Sequence, residues 1–280
     1  MIFSAKDHSY IKDDKKYTSV STLIGKYKKP YNGEYWSTYK AYEAVLGKDA
    51  FKKLRKDGGF KLEDPAFFDY LKPLTDSLLV EQAKLDILKQ WEHEKDKSIV
   101  KGNNYHSFKE KQSIELGYCT NPYLNKDFKT IESTLVEKKG SNEIRKPIVT
   151  NLYDLEDGFH PEAIVWNDDV MLSGQIDKLY IETIKDKRFI DIDDYKTNKK
   201  IATTNFFGKM LPPLDHLDCC NYHHYRLQIS TYAWLLEQAG FIPRYIGFTH
   251  INTPYRFDYN PKEVELMLTH AGLLETKYDF

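Results

Sequence analysis

GFHPEAIVWNDDVMLSGQIDKLYIETIKDKRFIDIDDYKTNKK, residues 158–200, decides the fold. The stretch is rich in β-branched residues, and apolar and polar side chains alternate along it as they do in strands. NDD at 167–169 and KDK at 185–187 interrupt the alternation as turn candidates. A three-stranded antiparallel meander is expected.

A two-residue turn at Lys185-Asp186 sets the register of the second hairpin, because residues equidistant from a turn face each other. Asp177 then opposes Asp194, and Gln175 opposes Lys196. Such partners are about 4.5–5.5 Å apart at Cβ, and alternation puts all four side chains on one face. Opposed carboxylates destabilise a sheet unless something cationic separates them, and hard oxygen ligands suit Mg²⁺. The same register pairs Asp193 with Lys178 on the other face as a cross-strand ion pair. It sets Asp191 opposite Tyr180, where a solvated carboxylate is expected. Charged residues alternating along an exposed hairpin would give the same string without any chemistry. Moving the turn by one residue would change every pairing.

Three further stretches supply groups for the same face. KGNNYHSFKE, 101–110, puts His106 and Glu110 four apart on one helical face. YRLQISTYAWLLEQAG, 225–240, puts Tyr225, Gln228 and Tyr232 in one helical stripe, which suits packing on a sheet as well as bonding to phosphate or water. Glu162 faces Gln175 if the first turn is Asp168-Asp169, and points away if that turn shifts. HLDCCNYHH, 216–224, matches no standard zinc spacing and is expected to be a loop over the active face.

With 280 residues, 41% hydrophobic and 30% charged, the chain is globular. Net charge is −1, so any affinity for nucleic acid must come from local patches such as KYKK 26–29, KKLRK 52–56 and NKK 198–200. Three cysteines, two of them adjacent, argue against a secreted disulfide framework. No secretory signal or membrane-length apolar run is read, so a cytoplasmic protein without membrane contact is expected. A single domain is expected over 1–280. Residues 1–100 would form an N-terminal hairpin and a mainly helical region, 100–250 the core, and 251–280 a C-terminal helix opening at Asn260-Pro261 with Glu263. The aromatic-rich N-terminal helices are a candidate channel for a single strand, through base stacking.

Taken in order, GNNYH, PEAIVW, GQID, DDYKT and YRLQISTY resemble the motifs of the RecB-like branch of the PD-(D/E)XK nuclease superfamily. The match spans roughly residues 100–250. HSYIKDDKKYTSVSTLI, 8–24, is also similar to the opening of phage and mitochondrial-genome-maintenance-type exonucleases of that branch. The resemblance implies an α/β restriction-endonuclease-like core, a central mixed sheet flanked by helices, with a helical N-terminal insertion.

It implies that His106, Asp177, Asp194 and the Tyr195 backbone carbonyl hold one or two Mg²⁺ or Mn²⁺ ions. Lys196 would orient or deprotonate the attacking water, its pKa lowered by burial and the ion, with Gln228 and Tyr232 in support. Glu110, Glu162 and Tyr225 stand as further candidates, and Thr197, Lys199 and Lys200 as substrate contacts. Asn103 departs from the small residue usual in the family. Three cysteines leave no iron–sulfur cluster to be expected, and no Walker-type loop appears. The implied activity is a metal-dependent DNA exonuclease giving 5′-phosphate products, acting in replication, recombination or end processing of a bacterial or phage-infected cell. Its partner would be DNA, single-stranded or with a free end. A flap or structure-specific endonuclease, or an inactive DNA-binding module on the same fold, are the alternatives.

Overall fold

The chain opens with three short strands, β1 (Ile2–Ser4), β2 (Ser9–Lys12) and β3 (Lys15–Ser19). Asp13 and Asp14, between β2 and β3, both take positive φ, 50° and 59°, the twist a two-residue hairpin turn requires. Ser19 then accepts from Thr22 N at 3.1 Å and caps α1 (Val20–Gly25). These assignments come from a computed structural model, which describes residues 1–140, 142–205 and 208–275.

A helical stretch follows: α2 (Gly33–Leu46), capped by Asn32, α3 (Lys48–Asp57), α4 (Ala66–Leu71) and the long α5 (Ser77–Leu116). Beyond it lie β4 (Tyr118–Asn121), β5 (Lys126–Lys129), β6 (Thr134–Lys139) and β7 (Asn142–Pro147). The meander is β8 (Gly158–Asn167), β9 (Leu172–Ile184) and β10 (Lys187–Lys196). The chain then runs through α6 (Asn221–Gln238), β11 (Ile242–His250), β12 (Thr253–Phe257) and α7 (Pro261–His270).

Ten strands make one mixed sheet in the order β12-β11-β10-β9-β3-β2-β1-β7-β6, with β8 on β9. β4 and β5 pair separately. β10 and β11 run parallel, and α6 is the crossover between them. α6 is buried nearly all round, with Leu227, Ile229, Ala233, Trp234 and Leu236 at 3% exposure or less. It packs on β8, β10 and β11 from one side and on α1 and α7 from the other, as a helix apolar on every face must. The protein is thus α/β, a large mixed sheet flanked by helices. Among the described residues no helix is long and apolar enough to cross a membrane.

Two compact units emerge where the sequence suggested one domain: Met1–Lys29 with Gly102–Phe280, and Pro30–Lys101. The N-terminal strands join the sheet because β3 pairs in parallel with β9 at Thr18↔Leu172 and Ser19↔Ser173. The unit boundary falls inside α5, whose residues 102–116 go with the sheet. In the helical unit, Tyr35, Tyr39, Tyr42, Phe51, Phe67, Leu71 and Val80 form a core of their own. Its rings pack on one another, Phe51 at 4.7 Å from Tyr39 and 5.2 Å from Phe67. Most aromatic residues expected as a stacking surface are therefore core.

The second hairpin follows its expected register. Lys185 and Asp186 have φ of 49° and 61°, and pairing runs from Lys187↔Ile184 through Asp191↔Tyr180 to Asp193↔Lys178. The first turn differs. Asn167 Oδ1 accepts from Asp169 N at 3.0 Å and Val170 N at 3.1 Å, an Asx turn that lengthens the loop to residues 168–171. Ile164, not Glu162, therefore pairs with Gln175.

Asp191 is also a correction: it is fully buried, not solvated. Arg244 on β11 donates to it through Nε at 3.0 Å and an η nitrogen at 2.7 Å. Asn121 Nδ2 adds a bond at 2.7 Å and Tyr245 N one at 3.1 Å.

Candidate metal centre

Pairing between β9 and β10 stops at Asp193↔Lys178, one step before Asp177 and Asp194 would meet. Beyond that point the Asp177 side chain takes over the ladder's role, its Oδ2 accepting from Tyr195 N at 2.7 Å. Asp177 Oδ1 accepts from His106 Nδ1 at 3.1 Å, which brings the 102–116 end of α5 onto the strand ends. Glu162 enters from β8. Its neighbours pair as Pro161↔Lys178 and Ala163↔Ile176, so Glu162 lies across from Asp177. Its φ of 51° is uncommon for a non-glycine residue and marks local strain, of the kind that concentrates at functional sites. Gln175 Nε2 donates to Glu162 Oε2 at 2.7 Å, and His106 Nδ1 is 3.7 Å from Oε1.

One ligand atom from each of His106, Glu162 and Asp177 lies within 4.8 Å of the others. Asp194 adjoins this group rather than completing it. It is 2% exposed, and its Oδ2 is ion-paired with the Lys196 ammonium. Three carboxylates thus converge beside one imidazole and the Lys196 ammonium. One imidazole with carboxylate oxygens is a donor set that could hold a metal ion.

Charge decides the protonation states. Burial disfavours a charged His106, but the Asp177 and Glu162 carboxylates outweigh it and push the imidazole up to about 11. Ligation by His106 would therefore displace a proton. Burial and the neighbouring Asp177 push the Asp194 carboxyl up, against the pull of Lys196. Burial lowers the Lys196 pKa, but Asp194 and Asp177 more than compensate and hold it above the usual lysine value.

Two side chains of α6, Gln228 and Tyr225, reach Lys196. Gln228 Oε1 is 3.5 Å from Lys196 Nζ, and Gln228 Nε2 donates to Tyr232 OH at 2.8 Å, which fixes the amide's orientation. The Tyr225 ring has Lys196 Nζ 4.4 Å from its centroid, and Tyr225 OH donates to Asn198 Oδ1 at 2.5 Å.

Other expected residues fall elsewhere. Glu110 is held bidentately by Arg145, at 2.7 and 2.8 Å, and has no oxygen turned to the cluster. Tyr195 is tied to the cluster by its amide N–H, which donates to Asp177. Thr197 is half-buried, while Lys199 and Lys200 are exposed past the end of β10, where Lys200 O accepts from Asn221 Nδ2 at 2.9 Å. In the 216–224 stretch, Cys219 Sγ lies 3.5 Å from His224 Nε2, and His216 pairs with Glu263 instead. Sequence reasoning missed Arg145 and Asn198. No spacing pointed to Arg145, whose partner lies 35 residues away, while Asn198 lay in plain view two residues past Lys196.

No family model matches the chain, and no curated protein matches it. A solved structure, that of SSO0001, is similar at 13% identity over 95% of this chain and 80% of that one, with a TM-score of 0.25. So loose a likeness carries no argument about fold or function.

Proposed function

We propose that this chain is a metal-dependent deoxyribonuclease with a PD-(D/E)XK core, acting as an exonuclease on DNA. One observation carries the reading: the splayed ends of β9 and β10 gather Asp177, Asp194 and Lys196 with His106 and Glu162 in one largely buried cluster. His106, Glu162 and Asp177 would hold Mg²⁺ or Mn²⁺, with Asp194 beside them. The ion supplies Lewis-acid chemistry, acidifying water and offsetting charge on the phosphoryl oxygens.

The chain's own groups do the rest. Lys196, held protonated by Asp194, orients the attacking water and offsets charge building on the phosphate. Gln228, locked by Tyr232, and the Tyr225 ring keep the ammonium in place. Water adds to phosphorus as the P–O3′ bond breaks, leaving a 5′-phosphate and a 3′-hydroxyl. Exposed Lys199 and Lys200 extend beyond the cluster toward a DNA backbone, so binding should weaken with salt.

The test uses 5′- and 3′-labelled linear DNA, single- and double-stranded, with Mg²⁺, Mn²⁺ or EDTA. Wild type should release nucleotides only with metal. Asp194→Ala, Lys196→Ala and Glu162→Gln should each slow release by about 10²–10⁴-fold. A wild type that leaves every substrate intact in both metals overturns the reading. Equal cleavage of circular single strands would convert it to an endonuclease.

A further inference from the structure

The Asp193–Lys178 pair faces away from Asp177 and Asp194, and register alone gives it only the job of a cross-strand ion pair. Both partners are buried, Asp193 at 0% and Lys178 at 6% exposure. A buried ion pair is a poor way to stabilise a sheet, because apolar residues of the same volume often do as well or better. Its geometry points elsewhere.

Asp193 cannot move: Tyr123 OH donates to it at 3.0 Å, and Thr249 Oγ1 lies 2.8 and 3.1 Å from its two oxygens. Lys178, ion-paired with it, places Nζ 4.2 Å from the centroid of the Tyr195 ring. That ring stands nearly perpendicular to His106, with centroids 6.0 Å apart at 83°, and to Tyr105, at 5.4 Å and 88°. The amide of the same tyrosine donates to Asp177. Tyr195 therefore touches two of the three candidate ligands, one with its ring and one with its backbone.

We propose that Lys178 is a positioning residue of the metal centre: fixed by Asp193, it holds the Tyr195 ring, and the ring sets the orientation of the His106 imidazole. The proposal rests on the cluster being a metal centre, but it concerns the placement of His106, which is measurable without metal. Groups that orient a ligand from behind typically change metal affinity by about 10–100-fold when replaced.

The experiment uses the full chain in three forms: wild type, Tyr195→Leu, and the double variant Lys178→Met/Asp193→Asn, which removes both charges and leaves no lone buried ion. Mn²⁺ affinity is titrated calorimetrically. The His106 Cε1–H signal is followed in metal-free, ¹³C-histidine-labelled protein and assigned by its loss in His106→Gln. The double variant is expected to fold, to bind Mn²⁺ about ten-fold or more weakly, and to show a displaced or broadened His106 signal. A folded double variant with Mn²⁺ affinity within about two-fold of wild type and an unmoved His106 signal overturns the proposal. Should the double variant not fold, Tyr195→Leu decides, and unchanged Mn²⁺ affinity there overturns it equally. Should wild type bind no Mn²⁺, the metal reading falls, and the His106 signal in the double variant still decides whether Lys178 positions the ring.

Discussion

Asp191 takes hydrogen bonds from three places in the chain: Arg244, Asn121 and the amide of Tyr245. The sequence could not show this, because the guanidinium that makes burial tolerable lies 53 residues further on, on the strand that α6 brings back beside β10. Asp193 and Lys178 were legible because their partnership follows from a turn eight residues away or fewer. Arg244→Met should therefore cost about 3–5 kcal/mol, the penalty of a buried carboxylate left without its ion. Urea unfolding checks this, and a loss under about 1 kcal/mol would mean that Asn121 and Tyr245 suffice. His224 gives the pH dependence. Burial, then the Lys28 ammonium, push it down to about 4 from an ordinary 6.5. Between those values the unfolded chain binds the proton and the folded chain does not, so stability falls as pH drops from about 6.5 toward 4. Urea midpoints at pH 7 and pH 5 should differ less in His224→Gln than in wild type.

At the scale of elements, the hairpin at Lys185-Asp186 was readable because Asp186 is of a type that accepts positive φ and the charged KDK breaks the strand alternation on either side. The β8–β9 turn was not, because Asn167 folds the loop through its own side chain, and that moved Glu162 from opposite Gln175 to opposite Asp177. The seating of α6 depends on Gly174. A Cβ there would lie 2.3 Å from Tyr232 Cε1, so only glycine lets the ring rest on β9. Gly174→Ala should destabilise the fold by about 1–3 kcal/mol through overpacking. On the proposed function, the displaced Tyr232 would release Gln228 from Lys196 and slow DNA cleavage about ten-fold or more. The hydrogen bonds that tie His106, Glu162 and Asp177 together come from α5, β9 and β10 rather than α6, so Mn²⁺ affinity should hold. Calorimetric titration beside cleavage rates separates the two, and a parallel fall in both would mean that α6 also supports the ligands.

At the scale of the whole molecule, the five stretches lie on helix, strand, strand, strand and helix, and the change from helical region to core read near residue 100 lies beside the boundary between the two units. Gly102, Asn103 and Asn104 stand at the boundary, but α5 runs on through them as a continuous helix, so they do not act as a linker. What sets the helical unit apart is its core, and Phe51 lies at the centre of it, fully buried between Tyr39 and Phe67. Phe51→Ala removes a ring that close packing cannot replace and should cost about 3–5 kcal/mol. The loss should be local, because units with separate cores open with separate free energies. Hydrogen exchange read by mass spectrometry would then show faster exchange across α2, α3 and α4, while β9, β10 and α6 keep wild-type protection. An equal rise in both units would mean that α5 couples them into one cooperative body, and a substitution in the helices would then loosen the metal centre as well.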